Sequence, residues 1–186
     1  ILLQVNKIED IRRAKEENRV GIILGWQNTN PIESNLDRLK LFSDLGVRFM
    51  QLTYNTQNLV GAGCWESKDN GLSDYGRDVV HQMNELGIAI DLSHVGEQTC
   101  RDAVASSAVP VAFTHCVPRG LLDMPRNKSD ELLQLTVDKG GFVGFAPYGP
   151  FIPSGEDSKI DDCIAVLESV SYTHLRAHET RHDVVC

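Results

Sequence analysis

The segment at 87–115, GIAIDLSHVGEQTCRDAVASSAVPVAFTH, contains two short apolar runs that each end at a histidine. The first run ends at His94 and the second at His115. Between them, residues 96–106 are polar and rich in alanine at helical spacing, which indicates a strand, a helix and a second strand. The strands of such a unit are parallel neighbours about 5 Å apart. The pattern therefore predicts that both imidazoles lie at the carboxyl edge of one parallel sheet.

Two neutral imidazoles at one sheet edge are a frequent beginning of a zinc site. The alternative is that His94 and His115 are unrelated strand-end residues that hydrogen-bond to the backbone, and the spacing favours the metal-binding interpretation. Asp91 could orient an imidazole or be purely structural, and both roles stay open. Cys116 is interpreted as a small residue of the edge rather than a ligand. His81, in the middle of a predicted helix, is interpreted as a structural or surface residue.

The same alternation of apolar runs and helical segments continues along the chain. Strands are predicted at 20–24, 47–53, 88–92, 109–113 and 142–146, and helices at 35–45, 73–86, 97–106, 129–139 and 160–168. Ser73 and Ser129 are predicted helix N-caps, and Gly87 is predicted to end a helix. Strands that are apolar on both faces and alternate with helices are typical of a parallel α/β sheet. Because no dinucleotide glycine motif is present, the pattern predicts a partial (β/α)8 barrel, about five of eight units.

Length and composition limit the classes of protein. The 186-residue chain has 41% hydrophobic and 24% charged residues, which is ordinary for a globular protein. Its net charge of −8 argues against binding to nucleic acid or to an anionic membrane. Five cysteines without a CxxC spacing favour reduced thiols of an intracellular protein over a disulfide framework. Residue 1 is Ile, so a signal peptide cannot be judged; a cytoplasmic location is favoured if the protein is bacterial.

Several short motifs occur in the order and spacing of a known family. They are LGVR at 45–48, LTYN at 52–55, GLSDYG at 71–76, DLSH at 91–94, TH at 114–115 and PRN at 125–127. Through these motifs, the chain at about 20–146 resembles the membrane (renal) dipeptidase family of zinc peptidases. The resemblance implies a (β/α)8 barrel with two zinc ions at its carboxyl rim and a dipeptide or small carboxylated substrate. It is also compatible with a homodimer.

The resemblance implies roles for three residues of these motifs. His94 and His115 match the two strand-end histidines that hold one zinc ion. Arg126 matches the arginine that binds the substrate carboxylate, a task that suits the planar fork of a guanidinium. Tyr148, after the last predicted strand, lies on the correct rim to contact substrate.

Two positions depart from the family pattern. Gln27 falls where the family has the glutamate that bridges its two metals, and a neutral amide cannot bridge two cations with a charge. One or two zinc ions are therefore expected here. Tyr54 falls where the family often has a substrate-contacting histidine, and its phenol can still hydrogen-bond to substrate. Because the family's His-x-Asp pair and late catalytic aspartate do not occur in this sequence, no catalytic residue is assigned and the chain itself is expected to be inactive.

The expected function is zinc-dependent hydrolysis of dipeptides. One alternative, suggested by Gln27 and Tyr54, is a non-catalytic relative that binds a small carboxylate. Another is a barrel metallohydrolase that acts on a different amide or ester.

The last residues differ in character from the rest of the chain. The stretch at 170–186 resembles a translated sequencing adapter, and it contains His174, His178 and His182 at a spacing of four. A helix would place these three histidines on one face, as in a metal site, but we interpret them as an artefact. The predicted organisation is an incomplete dipeptidase-type barrel domain at 1–169 and a non-native tail at 170–186.

Overall fold

The computed structural model describes residues 1–170, which form alternating strands and helices. The strands are β1 (Leu2–Gln4), β2 (Val20–Ile22), β3 (Leu24–Trp26), β4 (Val47–Gln51), β5 (Ala89–Asp91), β6 (Ala112–Cys116) and β7 (Phe142–Phe145). The α-helices are α1 (Ile8–Glu16), α2 (Asp37–Asp44), α3 (Asp74–Leu86), α4 (Glu97–Ser106), α5 (Asp130–Asp138) and α6 (Ile160–Val170). Short 3-10 helices lie at Asn30–Ile32, Gly149–Phe151 and Gly155–Asp157. The three histidines of the predicted tail lie outside the described residues.

The central element is a parallel sheet in which the strands follow chain order. Its order is β3-β4-β5-β6-β7, and every neighbouring pair is parallel. A helix connects each strand to the next, and α2 to α5 pack one beside the next. This arrangement confirms the predicted parallel α/β architecture. None of the helices between residues 1 and 170 is long and apolar enough to cross a membrane.

The predicted strand at 20–24 is corrected by the structure, because the run divides between two sheets. β2 pairs with β1 in a separate two-stranded parallel sheet, whereas β3 pairs with β4 and continues to Trp26. The ring of Trp26 packs edge-on against Phe42 of α2, with 5.4 Å between centroids. The apolar run alone could not reveal this division, since the change of partner depends on β1 and β4, which are distant in sequence.

The hydrophobic core lies between the five-stranded sheet and the helices that cover it. Its fully buried strand residues include Met50, Ile90 and Phe113. The helices contribute apolar side chains at helical spacing: Leu39, Val79, Val80, Met83, Ala103, Leu132 and Leu133. Burial of these side chains on one face of each helix is typical of amphipathic helices.

The helix ends follow local sequence signals. The Ser73 hydroxyl accepts a hydrogen bond from the Gly76 amide at 2.9 Å, and the Ser129 hydroxyl accepts one from the Leu132 amide at 3.2 Å. Gly87 ends α3 with a φ of 65°, a left-handed conformation that costs glycine little. The predicted caps are therefore confirmed.

A long irregular segment at 52–73 connects β4 to α3 and covers the carboxyl end of β5. The Cys64 amide donates to the His94 carbonyl and the Gly96 amide donates to the Ala62 carbonyl, both at 2.9 Å. This segment therefore lies over the edge where the strand-end histidines are found.

Candidate active site

The two strand-end histidines lie side by side. His115 is the fourth residue of β6, and His94 lies in the turn that follows β5. Their Nε2 atoms are 2.9 Å apart and their ring centroids are 5.0 Å apart. The predicted juxtaposition of the two imidazoles is therefore found at the carboxyl edge of the sheet, and their role as metal ligands stays a prediction.

Each imidazole is oriented through its other ring nitrogen. The Nδ1 atom of His94 lies 2.7 Å from Asn55 Oδ1, an acceptor, so this nitrogen donates. The Thr114 hydroxyl gives its one proton to Asp91 Oδ2 at 2.7 Å. Its oxygen, 2.8 Å from His115 Nδ1, therefore accepts a hydrogen bond from that nitrogen. Both Nε2 atoms are left with lone pairs that face each other.

Asp91 organises the turn that holds the histidines. Its Oδ1 accepts hydrogen bonds from the Ser93 amide at 3.0 Å, the Ser93 hydroxyl at 2.5 Å and the Thr114 amide at 3.1 Å. The Ser93 hydroxyl in turn accepts the His115 amide at 3.1 Å. Of the two roles left open for Asp91, the geometry supports orientation of an imidazole, with Thr114 as the intermediate.

Both histidines are held in the neutral form. Burial lowers the pKa of His94 to about 3, and the positive charges of Arg126 and Lys128 act in the same direction. Burial also lowers the pKa of His115, although the Asp91 carboxylate opposes this shift. Neutral imidazoles are the form that binds metal ions. Two converging lone pairs cannot hydrogen-bond to each other, so the donor set fits a bound cation.

Arg126 lies next to this pair and is completely buried. One guanidinium nitrogen, Nη2, donates to the His115 carbonyl at 2.8 Å, while Nε and Nη1 have no hydrogen-bond partner. No carboxylate of residues 1–170 forms a salt bridge with it. The guanidinium lies 5.1 Å from the ring centroid of Phe151. A buried guanidinium with two unused donors is suited to bind an anion.

The two candidate substrate-binding tyrosines are partly exposed. Tyr54 stacks on His94 with 4.3 Å between ring centroids and is 43% exposed. Tyr148 packs edge-on against Phe151 at 4.8 Å, on the ring that contacts Arg126. Tyr54 therefore contacts the site directly, through His94, and Tyr148 contacts it through Phe151. Contact of either tyrosine with substrate stays a prediction.

Gln27 follows β3 directly, at the same edge of the sheet. The backbone carbonyl of Gln27 accepts a hydrogen bond from Gln51 Nε2 at 2.8 Å, and Gln27 is exposed. Within residues 1–170, no cluster of three or more His, Cys, Asp or Glu side chains could hold a metal.

Cys116 is buried, and burial raises the pKa of its thiol to about 12. His81, on α3, is exposed, as predicted for a surface residue.

Sequence reasoning missed several residues that support the site. Asn55 and Thr114 occur in the quoted motifs, but nothing in their type indicated contact with an imidazole. Asn127 donates to the carbonyls of Leu122 at 2.9 Å and Phe151 at 3.0 Å, and so holds the ring beside Arg126. Only Thr114, which directly precedes His115, had a position in the sequence that could have indicated its role.

Comparisons with known proteins place these features in context. The family described as membrane dipeptidase (Peptidase family M19) matches residues 2–174. An uncharacterized dipeptidase of Schizosaccharomyces pombe is 32% identical over 166 residues, which are 85% of this chain and 41% of that protein. The dipeptidase tcpJ of Claviceps purpurea is 28% identical over 178 residues, 91% of this chain and 42% of that protein.

Solved structures share the fold. An amidohydrolase from Pseudomonas aeruginosa is 46% identical with a TM-score of 0.90, over 93% of this chain and 53% of that one. A metallo peptidase from Rhodobacter sphaeroides, liganded with a phosphinate mimic of the dipeptide L-Ala-D-Ala, has a TM-score of 0.86 at 23% identity, over 92% of this chain and 52% of that one. The chain therefore spans about half the length of the proteins it matches, and its sheet is a partial (β/α)8 barrel.

Proposed function

Because the chain belongs to the membrane dipeptidase family (Peptidase family M19), we propose that it forms part of a zinc-dependent dipeptidase in which His94 and His115 hold a metal ion. The observation that supports this proposal is the approach of the two Nε2 atoms to 2.9 Å, while each Nδ1 is hydrogen-bonded to another side chain. Since the chain spans about half the length of its relatives, the activity proposed is that of a protein that contains this chain. The chain alone is expected to bind ligands without turnover.

Different residues of the chain would bind the metal, orient the imidazoles and bind the substrate carboxylate. A zinc ion at the histidines would lower the pKa of a bound water and polarise the peptide carbonyl. Asn55 and Thr114 would keep Nδ1 of each imidazole protonated, so that Nε2 stays free for the metal. Arg126 would bind the carboxylate at the C-terminus of the dipeptide with its two unused donors.

Metal binding by the histidine pair tests the first part of the proposal. We would replace His174, His178 and His182 with alanine, to remove other candidate ligands, and measure Zn²⁺ binding by isothermal titration calorimetry. His94→Ala and His115→Ala should each abolish tight binding in this background, whereas His81→Ala, on the exposed face of α3, should leave it unchanged. Tight binding that survives both substitutions would contradict the proposed site.

Hydrolysis is tested in a longer protein that contains this chain and has the full length of its relatives. Alanyl-alanine should be cleaved, a chelator should stop the reaction and added Zn²⁺ should restore it. Zn²⁺ binding and carboxylate binding without turnover would instead favour the alternative of a non-catalytic relative, which the neutral Gln27 motivates.

Gln27→Glu separates the one-metal and two-metal forms of the proposal. If Gln27 occupies the position of a bridging ligand, a carboxylate there should raise the zinc content of the longer protein toward two ions per chain, measured by plasma mass spectrometry. Gln27→Ala is the matched control and should not raise it. An unchanged content for Gln27→Glu would mean that residue 27 is not at the metal.

A further inference from the structure

Lys128 is a second buried cation near the histidine pair, and the proposed mechanism does not use it. It is 1% exposed. Its Nζ donates to the carbonyl of Val95, the residue after His94, and lies 5.7 Å from the ring centroid of Phe113. No carboxylate within residues 1–170 forms a salt bridge with it.

The backbone around Lys128 explains why its side chain reaches this place. Its amide donates to the Val117 carbonyl at 3.0 Å, and its carbonyl accepts the Arg119 amide at 2.7 Å. These bonds close the loop that follows β6, with Arg126 inside it. The lysine therefore enters the site from the same loop as the guanidinium, and it joins this loop to the turn of His94.

Among residues 1–170, the charges around the site do not balance. Two cations, Lys128 and Arg126, are completely buried there, and the buried carboxylate beside them is Asp91. Asp91 is already occupied by four hydrogen bonds from Ser93 and Thr114. A buried charge without a partner is costly, so the part of the site formed by residues 1–170 carries an excess of positive potential that an anionic ligand would relieve.

We propose that Lys128 determines specificity: its buried charge, without touching the ligand, makes the site select ligands that carry a carboxylate. The inference rests on the proposed function, because it takes the ligand carboxylate to lie at Arg126. Charges of one sign in a poorly solvated site raise the affinity for the opposite sign over several ångströms. The same positive charge must oppose a metal cation at His94 and His115.

Three substitutions separate the charge of Lys128 from its hydrogen bond. Lys128→Arg keeps the charge, Lys128→Gln keeps a donor for the Val95 carbonyl without the charge, and Lys128→Met keeps only the volume. Lys139→Gln is the matched control, because Lys139 is exposed at the end of α5, away from the carboxyl edge. Circular dichroism is used to check that each variant folds. If the Met variant does not fold, the Gln and Arg variants are enough to separate the effect of the charge.

Binding is measured on the whole 186-residue chain in the same background, with His174, His178 and His182 replaced by alanine. Without metal, alanyl-alanine and alanyl-alaninamide are titrated by NMR; Zn²⁺ is titrated separately by calorimetry. Lys128→Gln and Lys128→Met should weaken dipeptide binding about 5- to 20-fold, leave binding of the amide no weaker and tighten Zn²⁺ binding about 3- to 10-fold. Lys128→Arg should stay within about 3-fold of the wild type, since the charge is retained, and Lys139→Gln should change neither affinity.

Other outcomes would overturn the inference. If Lys128→Gln behaves like the wild type while Lys128→Met is impaired, Lys128 only supports the Val95 turn. If dipeptide and Zn²⁺ affinities fall together, or if Lys139→Gln has the same effect, the charge does not select the ligand. Failure of the proposed function is seen separately, since wild-type binding of the dipeptide and its amide would then be equal and Arg126→Ala would change neither.

Discussion

Arg126 combines complete burial with incomplete hydrogen bonding, and this combination carries information about the ligand. Its one hydrogen bond goes to the carbonyl of His115, and two donors remain unused. Burial lowers the pKa of the guanidinium, which reflects the cost of desolvating its charge. Phe151 covers one side of the group. A residue with only a structural role would be expected to use more of its donors.

Substitution of Arg126 should affect only ligands with a free carboxylate. In a protein that contains this chain and hydrolyses dipeptides, Arg126→Ala should lower kcat/KM for alanyl-alanine by an amount equivalent to about 2–5 kcal/mol. Arg126→Lys should also lower it, because an ammonium cannot form a bidentate contact. The amidated dipeptide, as the control substrate, should be nearly insensitive. An equal loss for both substrates would mean that Arg126 supports the fold instead of the carboxylate.

At the scale of elements, α3 illustrates how local signals place a helix. Ser73 caps its first turn through the Gly76 amide and also donates to the Leu59 carbonyl at 2.6 Å. Gly87 ends the helix in the left-handed conformation. The buried residues of α3, among them Val79 and Met83, lie on one face against the sheet. The start, the end and the orientation of the helix therefore each follow from residues within it or next to it.

Removal of the cap should destabilise the chain measurably. Ser73→Ala leaves the Gly76 amide without its partner and should lower the free energy of unfolding by about 1 kcal/mol in urea denaturation. Ser67→Ala, at an exposed position of the preceding loop, should change it by less than about 0.5 kcal/mol. Equal effects of the two substitutions would contradict the capping role of Ser73.

At the scale of the whole molecule, the sheet separates a protected interior from the edge that holds the site. Cys64, Cys100 and Cys116 are buried, whereas Cys163 on α6 is half-buried. Burial raises the pKa of Cys100 and of Cys116 to about 12. At pH 8 only about one in 10⁴ of such thiols is ionised, and the thiolate is the reactive form. The packing of the molecule thus protects two thiols near the carboxyl edge.

Alkylation should report this protection. In the folded chain at pH 8, iodoacetamide should modify Cys163 at least about 10-fold faster than Cys100 or Cys116, as measured by peptide mass spectrometry. After unfolding in urea, the rates at the three positions should become similar. Comparable rates in the folded chain would mean that the interior opens more readily than its packing indicates.

The amino-acid sequence alone determined the alternation of strands and helices, the helix caps and the meeting of His94 with His115. These features depend on periodicity, on residues close in sequence and on the rule that neighbouring parallel strands end at one edge. Only the tertiary structure decided which side chains surround the histidines. The contact of Asn55 with His94 spans 39 residues, and that of Lys128 with Val95 spans 33. The division of 20–26 between two sheets likewise depends on distant partners. Such contacts leave no periodic trace in the sequence, because each depends on one side chain reaching one atom in the folded chain.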